Sequence, residues 1–321
     1  MKPMIELDEL VRKLDSTDEA ERIYAAEDIG YLNRPEGVAP LLARLQAEPS
    51  RAVREAIFSA LVSVQSDAVT EGAICLLASD DTFVRNQAVE LLRQRGPSVI
   101  PFLDQAFSAA GKDERKMVVD VLAGVDGPGS ATIYDRALGD SDTNVVITAV
   151  ESLGNARKTE FRERIEQLLS VDNPMLLGAC LETLAQIGNV QSLDSVRSLF
   201  ETGGPVADFM LPSYLKLLSA HGDERAMSDV AGMLNTRTAH LQPAIMDAIA
   251  VLRKRHPSAE LPAPFLESLV RIVRTDIASP LRYRALRLLG ELAPVEEMAS
   301  LLPDCPELDK EFMARREDSG V

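Results

Sequence analysis

Residues 84–96 read VRNQAVELLRQRG, and on a helix Val84, Ala88, Val89 and Leu92 share one apolar face. A near copy, VREAIFSALVSV, begins at Val53, and another, VVITAVESLGNA, begins at Val145. One short pattern returns along the chain, and a return of this kind decides an architecture before any single residue is interpreted.

Taking the last core residue of each such helix as an anchor gives Ile29, Ala60, Leu92, Leu122, Leu153, Leu184, Leu217, Ile249 and Leu289, spaced by 31, 32, 30, 31, 31, 33, 32 and 40 residues. Four residues before the anchor stand Ala25, Ala56, Ala88, Val118, Ala149, Cys180, Ile245 and Ala285. A unit of this length holds two helices of about 12 residues, A and B, joined by short loops. Helix B opens on capping signals: Ser16 with Glu19, Ser50, Asp80-Asp81, Asn173-Pro174 and Ser279-Pro280. Helix A repeats too, with Pro40 and Pro101 two units apart and LPAPFL at Leu261. One hairpin exposes too much apolar surface to stand alone, so stacking must cover it. The expectation is an all-α, right-handed α-solenoid of about nine two-helix repeats. It forms a single domain over 1–303, with helices A convex, helices B concave, and a polar cap or tail over 304–321.

The stretches DDTFVRNQAVELL at Asp80, SDTNVVITAVESLG at Ser141 and SPLRYRALRLLG at Ser279 resemble HEAT repeats. The likeness is to the short-unit variety found in phycobilisome-lyase-type HEAT proteins, and it covers about residues 5–300. It implies the fold strongly and the function weakly, because such repeats serve many unrelated roles.

Composition narrows the function. The 321 residues carry a net charge of −16, with no tryptophan and 4% aromatics. That balance disfavours nucleic acid and anionic membranes, which need cations. No apolar leader follows a basic start and no run of about 18 apolar residues occurs, so neither a signal peptide nor a membrane span is expected. Cys75, Cys180 and Cys305 are odd in number and far apart, which suits a reducing, cytoplasmic setting; Cys75 and Cys180 are expected in the core.

Catalytic signatures are absent from the sequence. His221, His240 and His256 lie in or near loops, and no His-Glu pair occurs of the kind with which HEAT-like iron hydroxylases hold their metals. No Cys-x-x-Cys, phosphate loop or dinucleotide fingerprint appears; GVDGPGS at Gly124 falls where a turn is due. No cofactor, metal or catalytic residue is assigned, and the chain reads as a non-enzyme. Two features strain the pattern: Gly203-Gly204-Pro205 followed by Pro212, expected to kink or delay a helix, and the basic, proline-rich loop at 253–264. Arginines at 22, 54, 85, 115 and 282, with acids preceding them at 18, 80, 81, 113 and 276, suggest a structural ladder between neighbouring loops.

The candidate site lies two residues before each anchor: Glu27, Phe58, Glu90, Asp120, Glu151, Glu182, Leu215, Asp247 and Arg287. Six of these nine are acidic, and at 100° per residue they point about 160° from the anchor, toward solvent. The expectation is an acidic ridge on the concave face, interrupted by exposed Phe58 and Leu215 and ended by Arg287. It suits a protein partner with a basic or amphipathic helix, so the leading reading is a protein-binding scaffold in complex assembly or signalling regulation. A bilin lyase subunit or chromophore-handling factor is the alternative that the repeat type implies. A HEAT-like DNA glycosylase is a third, disfavoured by the acidic ridge.

Overall fold

The computed structural model describes residues 6–201, 205–275 and 280–292. All regular structure among them is helical. The chain divides into two compact units, Met1–Ala156 and Arg157–Val321. The first holds α1 Leu7–Lys13, α2 Glu19–Leu32, α3 Val38–Ala47, α4 Arg51–Ser63, α5 Asp67–Leu76, α6 Thr82–Gln94, α7 Ile100–Ala109, α8 Lys112–Leu122, α9 Ser130–Leu138 and α10 Thr143–Asn155. The second holds α11 Arg162–Leu168, α12 Pro174–Ile187, α13 Val190–Glu201, α14 Pro205–His221, α15 Glu224–Thr236, α16 Gln242–Arg255, α17 Ala263–Thr275 and α18 Pro280–Leu292. Odd-numbered helices are the A layer and even-numbered helices the B layer, giving nine hairpins among the described residues.

Helix starts follow local chemistry. The Asp81 carboxylate accepts from the amides of Phe83 and Val84 at 2.8 and 3.4 Å, and Asn173 accepts from Leu176 at 3.0 Å. Asp18, rather than Ser16, caps α2, accepting from Ala20 at 2.9 Å, while the Ser16 hydroxyl bonds Glu21. Gly129, in the glycine-rich stretch, takes φ 95° as the N-cap of α9, a left-handed turn open to glycine.

Each B helix buries the residues three and four before its anchor, and the B helices of each unit pack on one another. In the first unit this contact is most extensive at α2–α4 and α8–α10, and is wider there than between neighbouring A helices. B is therefore the tighter layer. At Gly30 a Cβ would lie 2.7 Å from the Ala60 Cα, so glycine is what lets α2 and α4 approach this closely.

Five expectations need correction. Leu61, not Ala60, is the anchor of α4, since Val53, Ile57 and Leu61 repeat Val84, Ala88 and Leu92 at an offset of 31. Leu218, not Leu217, is likewise the anchor of α14. Pro212 does not delay its helix: α14 runs from Pro205 to His221 through it, with the ring exposed. Cys75 is exposed, on the outer side of α5, whereas Cys180 is buried and its thiol is pushed up to about 12 by burial. The loop at 253–264 is shorter than expected, because Arg253, Lys254 and Arg255 form the last turn of α16, where cations suit the helix dipole. The remainder is tied down: Arg253 donates to the Ala259 carbonyl at 2.7 Å, and the His256 Nε2 lies 2.8 Å from the Gly222 carbonyl. Gly203, Gly204, Asp276, Ser279, Cys305 and the 304–321 tail lie outside the described residues.

Candidate functional site

The corrected anchors re-sort the ridge. Phe58 is 4% exposed and Leu215 is 3% exposed, so neither stands on it. Both occupy the buried position of Val89 and Val150, three before the anchor. Phe58 meets the edge of the Phe83 ring at a centroid distance of 6.2 Å. The residues that do stand two before the anchor are Glu27, Ser59, Glu90, Asp120 and Glu151 in the first unit, and Glu182, Lys216, Asp247 and Arg287 in the second. All are exposed except Asp120, which is half-buried.

The two units treat these charges differently, and the cause is what the next B helix offers. In the second unit Glu182 accepts from Lys216 Nζ at 2.8 Å and from the Ser213 hydroxyl at 3.2 Å, both on α14. The Lys216 ammonium beside it holds the Glu182 carboxyl below the usual carboxylate range. Asp247 is bound by Arg284 of α18, and Arg287 lies 3.4 Å from Glu291. Signs alternate along this unit, and adjacent helices neutralise each other. A groove of ≈ 430 Å³ between α16 and α18 holds Asp247, Arg284, Arg287 and Glu291 together with Val251, Lys254 and Tyr283.

The first unit lacks that supply. Opposite Glu27, Glu90 and Asp120, five before the next anchor stand Ala56, Met117 and Thr148, and two before it stand Ser59, Asp120 and Glu151, none a cation. Glu90 accepts only from Gln94 at 3.0 Å, and Asp120 is reached by Lys116 of its own helix at 3.3 Å. Among the described residues, no cation lies within ion-pair distance of Glu27, Glu90 or Glu151. Residues 1–156 carry 26 Asp and Glu against 15 Lys and Arg, net −11, while 157–321 carry 24 against 19, net −5.

The arginine ladder exists, but each rung reaches forward rather than back. Arg22 clamps Glu48 with two bonds of 3.0 Å, Arg54 binds Asp81 at 2.7 Å, and Arg115 grips Asp140 at 2.6 and 2.8 Å. Each joins a B helix to the turn ahead of the following one. Arg85 instead donates to the Ser79 carbonyl at 2.6 Å. Glu48 is buried; desolvation pushes its carboxyl up, but Arg22, the Ser50 amide and Arg44 outweigh this and hold it below the usual range. These arginines are spent on structure and leave the ridge acidic.

Sequence reasoning missed two exposed aromatics, Tyr24 and Tyr31 of α2. Their spacing with Glu27 and Asp28, at i, i+3, i+4 and i+7, was the available signal. The histidines gather no site: His221 Nε2 lies 3.2 Å from the Ala185 carbonyl, tying α14 to α12. Among the described residues no cluster of His, Cys, Asp or Glu is arranged to hold a metal ion, and no helix is long and apolar enough to cross a membrane.

Stacked two-helix units with a patterned B-layer surface define an all-α solenoid of the helical-repeat class. The chain belongs to the HEAT-repeat family, whose model matches residues 7–93 and 130–206, over half of the sequence. Similar structures include a chain in a homology model of the full-length AP-3 complex in an intermediate open conformation, with a TM-score of 0.56 and 14% identity; the match covers 92% of this chain and 58% of that one. An engineered protein is similar at TM-score 0.43 and 17% identity over 94% and 92% of the two chains. YibA of Escherichia coli is similar at TM-score 0.44 and 17% identity over 78% and 93%. At these identities the likeness is one of fold. No curated protein matches the sequence.

Proposed function

We propose that this HEAT-repeat chain is a non-catalytic protein-binding scaffold, serving complex assembly or signalling regulation. Its first unit captures a partner through the acidic B-layer face formed by Glu27, Glu90, Asp120 and Glu151. The observation that carries this reading is the missing cation: the second unit pairs Glu182 and Asp247 with cations of the next B helix, whereas among the described residues Glu27, Glu90 and Glu151 of the first have no cation within ion-pair distance. B helices pack about 8–10 Å apart, and two unit charges at that separation repel by about 0.4 kcal/mol in water. A cationic helix laid across the face would relieve the repulsions along Glu90, Asp120 and Glu151 and gain attraction to each carboxylate. That the similar chain of the AP-3 complex works within an assembly is in keeping with a scaffold.

The test uses a fluorescein-labelled amphipathic peptide with lysines along one face, followed by anisotropy. Binding is expected to weaken as salt rises, since surface charges are screened within about 8–10 Å. The triple variant Glu27→Lys/Glu90→Lys/Glu151→Lys is expected to lose it, and Asp247→Lys in the second unit to keep it. Undiminished binding by the triple variant would refute the reading.

A further inference from the structure

We propose that the outer stripe of α2 is a docking edge for a helix presenting arginines seven residues apart, each guanidinium stacked on Tyr24 or Tyr31 and bonded to a carboxylate beside it. The inference rests on the reading above and names the chemistry at one end of that face.

Ala20, Glu21, Tyr24, Glu27, Asp28 and Tyr31 fall within one stripe of about 120° on α2, and all are exposed. Tyr31 is 90% exposed and Tyr24 is 65% exposed. Solvated helix faces are normally filled with charged and polar side chains. Here two large aromatics face outward while a cation faces inward: Arg22 is buried and committed to Glu48. The nearby cations of α1 are also engaged, Lys13 with Glu9 at 2.9 Å and Arg12 with the Asp8 carbonyl at 3.2 Å.

The register of the stack says what does not belong on this edge. One residue before the anchor, the later helices of the unit carry Ala60, Leu91, Val121 and Ser152, all buried; Ala60 meets the preceding B helix at Gly30. In α2 that position is Asp28, so a further repeat of the same kind would find a carboxylate where it needs an apolar seat. A cationic partner finds the reverse. Arginine fits better than lysine, because its flat guanidinium stacks on a ring while its fork bonds a carboxylate. Tyr24 and Tyr31 are two helical turns apart, about 10.5 Å along the axis, which matches arginines seven residues apart on a helix lying alongside. The close seating of Gly30 on Ala60 sets how near α2 lies to α4.

The test compares three fluorescein-labelled helical peptides: arginines seven apart, lysines in the same places, and arginines five apart on opposite faces. The protein is taken as wild type, as Tyr24→Ala/Tyr31→Ala, and as Glu90→Lys/Glu151→Lys, each checked for an unchanged melting curve. Wild type is expected to prefer the first peptide, and the tyrosine variant to bind it about tenfold more weakly, with its preference over lysine gone. If the tyrosine variant keeps both affinity and preference while the glutamate variant loses binding, the α2 edge is refuted and the acidic face stands. If only the tyrosine variant weakens, the α2 edge stands and the extended face falls. No binding of any peptide by wild type at low salt refutes both.

Discussion

Ser59 and Leu61 stand two residues apart on α4, one facing water and the other fully buried. An aspartate at Leu61 would strand a carboxylate among apolar side chains and is expected to cost several kcal/mol, roughly 3 or more. The same residue at Ser59 is expected to change stability by less than about 0.5 kcal/mol. Chemical denaturation of both variants measures the difference, and equal costs would contradict the corrected register. This register was only partly legible in the sequence. Around Phe58 the run Ile57-Phe58-Ser59-Ala60-Leu61-Val62 offers an apolar residue at nearly every step, so periodicity alone leaves the anchor uncertain by one. The same ambiguity at Tyr214-Leu215-Lys216-Leu217-Leu218 hid Lys216 behind Leu215. Where small and polar residues separate the core positions, as at Ala88, Glu90 and Leu92, pattern and structure agree.

Between elements, the forward-reaching arginines make stability depend on pH. The Asp81 and Asp140 carboxyls are held below their ordinary value, each chiefly by an arginine hydrogen bond. Burial pushes the Glu48 carboxyl up, but its bonds to Arg22, Ser50 and Arg44 leave it lowered as well. A carboxyl with a depressed folded-state value contributes stability that is fully present above its unfolded value, about pH 4, and is lost as pH falls through the folded value. Thermal melts of the wild type are therefore expected to hold steady from neutral pH down to about pH 5 and to drop below about pH 4. Replacing Glu48 by Gln should flatten part of that acid drop; a variant whose acid profile matches wild type would contradict the role of this cluster. The existence of a ladder was legible from arginines recurring near the start of the B helices, at Arg22, Arg54 and Arg115. Its direction was not, because partners 25 to 27 residues ahead are set by how hairpins stack, which a linear reading does not contain.

For the molecule as a whole, the repeat number, the all-helical class and the family were legible, since each follows from a period of about 31 residues and its caps. What the sequence concealed is that the two units are chemically unlike. A ridge position looks the same in both until the residues two and five before the next anchor are brought beside it, and only stacking does that. The acidic excess concentrated in residues 1–156 is then an available surface, while that of the second unit is partly spent on its own cations. The most direct test is carbodiimide cross-linking of the lysine peptide to the intact chain, mapped by mass spectrometry. Cross-links are predicted at Glu27, Glu90, Asp120 and Glu151. Cross-links concentrated instead at Glu182, Asp247 and Glu291, with residues 1–156 unmarked, would contradict the account.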